Sequence, residues 1–289
     1  MVIENPIFVV SDLHMGDGSR KDNLSCTFQE GMFHRFLDYV HRHDGELIIN
    51  GDLLELWRFQ LSNVLEERWK LLQRLTELKV TYILGNHDAE LDLLTEYDAN
   101  YHPFFDRIEE PFIRTIHGRR FKFMHGHEAD PFNGIGLRTL CDVLEPLDGK
   151  LNLGFNREIV FSDVFYRKLI GIGEMGKHTW FWLSRFGTGL LEDLGFIDAD
   201  REVKRCLRTR KLLSAYYEHR NDGLYDVAIA GHTHKAGRCS HWYFNSGSWM
   251  RGQRNFLQIL PDGSVDVCHW EKDGPVSDHT IIADTASEN

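Results

Sequence analysis

Apolar positions in this chain fall into two patterns. Short runs at residues 7–10, 47–49, 80–84, 121–124 and 227–230 are rich in β-branched and aromatic side chains, and they predict strands buried within a sheet. Phe28, Met32, Phe33, Phe36, Leu37 and Val40 recur at helical spacing, as do Leu61, Val64, Leu65, Leu72, Leu75 and Leu78, which predicts two amphipathic helices. The intervals between strands leave room for crossover helices, as a βαβ order demands. His34, His41 and His43 fall in or just after the first helix and are assigned to its solvated face.

The gap between residues 125 and 232 is too long for one connection, and residues 128–222 are expected to form an inserted helical subdomain. Within it, residues 155–172 and 203–217 carry helix-like patterns, while Trp180, Phe181, Trp182, Leu183, Phe186, Leu190 and Leu191 put bulk around more than one helical face. That excess suits packing against neighbouring helices, self-association, or a groove for an apolar group, with Trp182 and Phe186 lining it. Arg201, Lys204, Arg205, Arg208, Arg210 and Lys211 form the one strongly basic run. It is a solvated helix face or a contact, through Arg205, with substrate phosphates or anionic headgroups. Alternation at residues 240–245 and 256–270, with a Pro261-Asp-Gly263 turn, predicts antiparallel strands closing a second sheet. The chain thus divides into residues 1–127 with 223–275 as one domain, the insertion, and a loose polar tail at 276–289.

Each strand run leads straight into a polar block: Asp12-Leu-His14, Gly51-Asp52, Gly85-Asn86-His87-Asp88, His125-Gly-His127 and Gly231-His232-Thr-His234. Any one of these has an ordinary reading as turn chemistry, an Asx cap or a satisfied buried imidazole. Together they are harder to dismiss, because in α/β sheets ligands bind at the carboxyl ends of strands, so five blocks would converge on one edge. Carboxylate, imidazole and amide ligands in this mixture suit a pair of divalent transition metals. Two such ions a few ångström apart are a standard device for attacking a phosphate ester in line.

In this order the blocks resemble those of the calcineurin-like metallophosphoesterase superfamily, over residues 12–234. The resemblance implies a two-sheet αββα sandwich of α/β class and two divalent metals, Mn foremost, with Fe, Zn or Co serving alike. Asp12, His14, Asp52 and His234 would hold the first ion, and Asp52, Asn86, His125 and His232 the second, so Asp52 would bridge them. His87 would sit beside the scissile phosphate, with Asp88 steering its ring. Within the superfamily, Gly51-Asp-Leu-Leu-Glu-Leu-Trp57 and Asn245-Ser-Gly-Ser-Trp249 are most similar to the UDP-2,3-diacylglucosamine diphosphatases of lipid A synthesis. The best-known branch carries Arg where this chain has His87 and Asp where it has His127, which places the chain in a neighbouring branch. A nucleotide-activated glycolipid is therefore the first expectation for substrate, and a smaller phosphodiester or phosphomonoester the second. Phosphoprotein phosphatases match less well, because Glu55-Leu-Trp57 stands where they carry Asp-Arg-Gly. A non-catalytic scaffold is disfavoured by the complete ligand set.

Composition narrows the picture further. A chain of 289 residues with 42% hydrophobic content can bury a large core. Its formal charge of -11 at pH 7 argues against sequence-independent nucleic-acid binding and hence against a nuclease. Five scattered cysteines read as reduced thiols. With no leader-like start and no long apolar run, the expectation is a cytoplasmic enzyme, in peripheral contact with the inner membrane face if the basic run meets headgroups.

Overall fold

The computed structural model describes residues 4–20, 22–24, 27–92, 102–127, 216, 220–239, 241–272 and 274–278. In chain order its elements are β1 (Ile7–Val10), α1 (Thr27–Arg42), β2 (Glu46–Asn50), α2 (Leu61–Glu77), β3 (Thr81–Ile83), β4 (Ile108–Glu109), β5 (Phe112–Ile116) and β6 (Arg119–Phe123). There follow β7 (Val227–Ala230), β8 (Gly237–Cys239), β9 (Tyr243–Asn245), β10 (Asn255–Ile259), β11 (Val265–Glu271) and β12 (Gly274–Ser277).

These strands form two mixed sheets, one in the order β12-β11-β10-β1-β2-β3-β4 and one in the order β5-β6-β7-β9-β8. β1 to β4 run parallel, and so do β6, β7 and β9. Among them β1, β2, β3 and β7 are buried along nearly their whole length, which is why their apolar runs are unbroken rather than alternating, whereas β4 and β6 keep partly exposed positions. On β1, Phe8 and Val10 join Met32, Phe33, Phe36, Val64 and Leu72 in the core beneath α1 and α2. Ile7 and Val9 join Phe121, Phe123, Val227 and Ile229 in a second core between the sheets. Phe36 sits centrally in the first core, its ring 5.0 Å from that of Phe256 and 5.2 Å from that of Trp249.

Three details depart from the sequence reading. β10 and β11 do form an antiparallel pair, yet they extend the first sheet through β1 and do not close the second. An alternating pattern specifies that one face is buried, and either sheet could bury it. Residues 274–277, partly assigned to a loose tail, pair with β11 as an edge strand. The chain divides into Met1–Ala129 with Ser214–Asn289, and Asp130–Leu213, so Tyr216 and residues 220–222 belong with the two-sheet unit and not with the insertion. Tyr216 donates to the Gly126 carbonyl at 3.1 Å and stacks on Tyr243. The expected helical insertion otherwise lies outside the described residues.

Candidate metal centre

The loops that follow β1 and β2 are zipped together by main-chain hydrogen bonds. Asp12 N donates to Gly51 O at 3.0 Å, His14 N to Asp52 O at 3.0 Å, and Met15 N to Leu53 O at 2.8 Å. This pairing holds Asp12, His14 and Asp52 in left-handed backbone, with φ of 55°, 48° and 53°. His232 and His234 after β7 share that conformation, with φ of 66° and 56°. Non-glycine residues adopt it seldom, and clusters of such strain mark sites that the surrounding fold over-determines. Gly51 is required where it stands: its φ is +92°, and an added Cβ would lie 2.2 Å from His125 Nδ1. At Gly85 a Cβ would meet Asp52 Oδ1 at 2.1 Å.

The blocks come from strand ends of both sheets, not from one sheet edge, because the interlayer core brings the two sets of parallel carboxyl ends together. Asn50 ties the layers at this point, donating to Met124 O at 2.6 Å and Ile229 O at 3.1 Å. One ligand atom each from Asp12, His14, Asp52 and His234 lies within 4.8 Å of the others. His234 Nε2 is 3.0 Å from Asp12 Oδ1 and 3.3 Å from His14 Nε2. On the other side, His125 Nε2 is 3.3 Å from Asp52 Oδ2, and the His125 and His232 rings are 5.3 Å apart. Asn86 supplies a buried Oδ1 that accepts no hydrogen bond among the described residues.

The remaining atoms of these groups are occupied in ways that select the inward-facing ones. Asp12 Oδ2 accepts from Ser11 Oγ and, at 3.0 Å, from His232 N, which leaves buried Oδ1 turned toward the His14 and His234 rings of the site. His125 Nδ1 donates to the Asn50 carbonyl at 2.9 Å, which fixes the tautomer and leaves Nε2 for the site. Buried polar atoms left this way are costly unless a cation meets them, so the residues fit divalent metal. The electrostatics agree. Burial alone would push the Asp12 and Asp52 carboxyls up, but His125, His14 and, for Asp12, His234 hold both well below the usual carboxylate range. Burial likewise disfavours imidazolium at His14 and His125, yet the carboxylates around them raise both to about 10. Four buried acidic side chains, Asp12, Asp52, Glu55 and Asp88, thus create a demand for positive charge that protons satisfy when metal does not.

His87 is brought to the rim of this cluster, its main-chain N–H donating to Asp52 Oδ1 at 2.8 Å. The expected steering of its ring by Asp88 is not what the fold provides. Asp88 points away into the core, accepting from Gly85 N at 2.7 Å, Leu54 N at 3.1 Å and the Tyr82 hydroxyl. Burial and the Asp52 charge raise its carboxyl to about 6. The group that meets the ring is Glu55: Oε1 lies 2.8 Å from His87 Nδ1, and Oε2 lies 3.2 Å from His14 Nδ1. Burial opposes its ionisation, but the two histidines hold Glu55 down at about 2.

Glu55 was legible only as part of the Gly51–Trp57 similarity, and the same is true of the stretch from Asn245 to Trp249. In the structure that stretch braces Asp12. Ser246 Oγ lies 2.7 Å from Ser11 Oγ, Trp249 N donates to Asp12 O at 3.2 Å, and Asn245 Nδ2 donates to Gly231 O at 2.6 Å. Trp182, Phe186 and Arg205 lie outside the described residues. Among the described residues no helix is long and apolar enough to cross a membrane.

The family described as calcineurin-like phosphoesterase matches residues 5–236, a span that includes every strand-end block above. No curated protein matches the chain.

Proposed function

From the premise that this chain belongs to the calcineurin-like phosphoesterases, and is a metal-dependent phosphoester hydrolase, we propose a dinuclear centre cutting a phosphoester or pyrophosphate bond. Asp12, His14, Asp52 and His234 hold one ion in this reading, and Asp52, Asn86, His125 and His232 the other. The observation that carries it is the place of one atom: Asp52 Oδ2 lies 3.6 Å from His14 Nε2 and 3.3 Å from His125 Nε2, between the two ligand groups. Divalent ions bound there supply positive charge for the phosphoryl oxygens and activate water. The protein's own part is to orient and to handle protons. Ser11 and the His232 amide turn Asp12, Asn50 sets the His125 tautomer, and Glu55 holds His87 by Nδ1. His87 Nε2 then faces the phosphoryl oxygens or the departing oxygen as a donor.

For substrate we favour a UDP-2,3-diacylglucosamine-like nucleotide glycolipid, with a smaller phosphodiester or phosphomonoester as the alternative. The support is the sequence similarity at Gly51–Trp57 and Asn245–Trp249, together with the aromatic cluster that includes Trp182 and Phe186. Arg205 and its basic neighbours would meet substrate phosphates or anionic headgroups, consistent with a peripheral place at the inner membrane face. Mn is the first metal to test, then Fe, Zn and Co. The experiment replaces Trp182 and Phe186 with Ser in metal-loaded protein. KM for a long-chain UDP-glycolipid should rise at least tenfold, as burial of acyl surface at roughly 25 cal/mol per Å² implies, while hydrolysis of bis(p-nitrophenyl) phosphate stays unchanged. Equal losses on both substrates would give these residues a packing role, no loss on either would make them an association surface, and failure of the unmutated protein to hydrolyse the UDP-glycolipid would remove the glycolipid reading.

A further inference from the structure

Trp57 is one of few large apolar side chains left exposed among the described residues, with 43% of its surface accessible. It follows the buried run at Leu53, Leu54 and Leu56, so the chain turns a tryptophan outward where its pattern had been turning leucines inward. The indole is not idle there. Its ring lies 3.8 Å from the His87 ring with an interplanar angle of 21°, a close face-to-face stack.

A histidine ring has two freedoms, rotation about χ1 and a broad, nearly unhindered rotation about χ2. The contact from Glu55 to Nδ1 fixes one point of the His87 ring, but the ring can still swing about that contact. Its plane is set by two aromatic neighbours: Trp57 stacks against the ring, and His14 meets it at 4.5 Å and 88° in a T-shaped contact. The main chain adds a third restraint, because Leu56 N donates to His87 O at 3.2 Å and so keeps the residue before Trp57 in register with the ring it covers. Nδ1 is thereby committed to Glu55 and one face to indole, and Nε2 has no hydrogen-bond partner among the described residues.

The geometry points to Trp57 as a positioning residue for His87: its indole fixes the imidazole plane so that Nε2 is presented toward the reacting phosphoryl group. This rests on the reading of His87 as the donor beside that group. A planar side chain is needed for the task, so size alone does not suffice.

The test compares Trp57→Leu and Trp57→Phe in the metal-loaded protein, alone and combined with His87→Ala, using bis(p-nitrophenyl) phosphate. Trp57→Leu should lower kcat about tenfold with KM within about twofold and both metals retained, and Trp57→Phe should restore most of the loss, as for a group held out of its reactive orientation. In the His87→Ala background Trp57→Leu should change kcat by less than about twofold, because an effect carried through His87 cannot be lost twice. An additive loss in the double variant, a change confined to KM, or equal losses with Leu and Phe would overturn the proposal. Proton NMR of the zinc-loaded protein gives an independent readout. The His87 ring protons should be shifted upfield by the indole and lose that shift in Trp57→Leu, and unshifted protons in the unmutated protein would also overturn it. If the shift is present but the unmutated protein hydrolyses no phosphoester, it is the proposed function that fails, and the ring's orientation stands.

Discussion

Glu55 Oε1 lies 2.8 Å from Nδ1 of His87, so the carboxylate that holds this histidine comes from the loop after β2 and not from the adjacent Asp88. Its second oxygen lies 3.2 Å from His14 Nδ1, and one side chain therefore aligns a proposed metal ligand and a proposed donor together. Outer partners of this kind commonly change metal affinity or activity by about 10–100-fold when removed. Glu55→Ala should weaken metal binding and lower kcat by about tenfold or more, read by calorimetric metal titration and steady-state kinetics. A silent Glu55→Ala beside a damaging, well-folded and metal-replete Asp88→Asn would reverse the assignment.

Asp52→Asn should lose metal and turnover together while circular dichroism shows the fold intact. Retention of about two ions per chain with normal turnover would sink the bridging role. His87→Ala separates the two functions, since it should keep both ions and slow turnover by roughly a hundredfold, the usual scale for a lost proton donor. Metal-free His87→Ala would move that residue into the ligand set.

Metal should compete with protons at this site. His14 and His125 are each raised to about 10 in the metal-free protein, so both are imidazolium at neutral pH and must deprotonate to ligate. Loading at pH 7.5 should release about two protons, seen as the dependence of calorimetric heat on buffer ionisation enthalpy. The stability sign follows from the same shifts. Folded values above the ordinary 6.5 mean that this contribution is complete below about 6.5 and is lost as pH rises through about 10. The thermal midpoint of metal-free protein should fall over that window, and it should fall less when divalent metal is present. Uptake of metal without proton release would contradict the charge assignment.

Arg68 is only 1% exposed, on α2, where it pairs with buried Asp22 and, at 2.9 Å, with Glu30 while donating to Gly16 O at 3.1 Å. Asp22 in turn accepts from the backbone of Gly16, Gly18 and Leu24, so the pair shapes the loop that leaves the Asp12 block. Arg68→Met strands a buried carboxylate and should destabilise the protein by about 3–5 kcal/mol in chemical unfolding. A change below about 1 kcal/mol would show that the loop holds itself.

Local pattern determined a large part of this molecule. Strands buried on both faces must be continuously apolar, and helices covering a sheet must repeat their stripe, so β1, β2, β3, β7, α1 and α2 could be read directly. The polar blocks that gather at the candidate metal centre could be read too, because each immediately follows its strand. What local pattern could not decide is which distant group meets which. An alternating hairpin can bury its face on either sheet, and β10 joined the first because it pairs with β1 across a gap of more than two hundred residues. Asp88 neighbours His87 in sequence, yet the turn that leaves β3 sends its carboxylate inward to Tyr82 and opens the ring to Glu55. The left-handed backbone at Asp12, His14 and Asp52 could not be placed from the sequence, since none of these is glycine, and it is held by the pairing of the loops after β1 and β2, which lie side by side only once the sheet has formed.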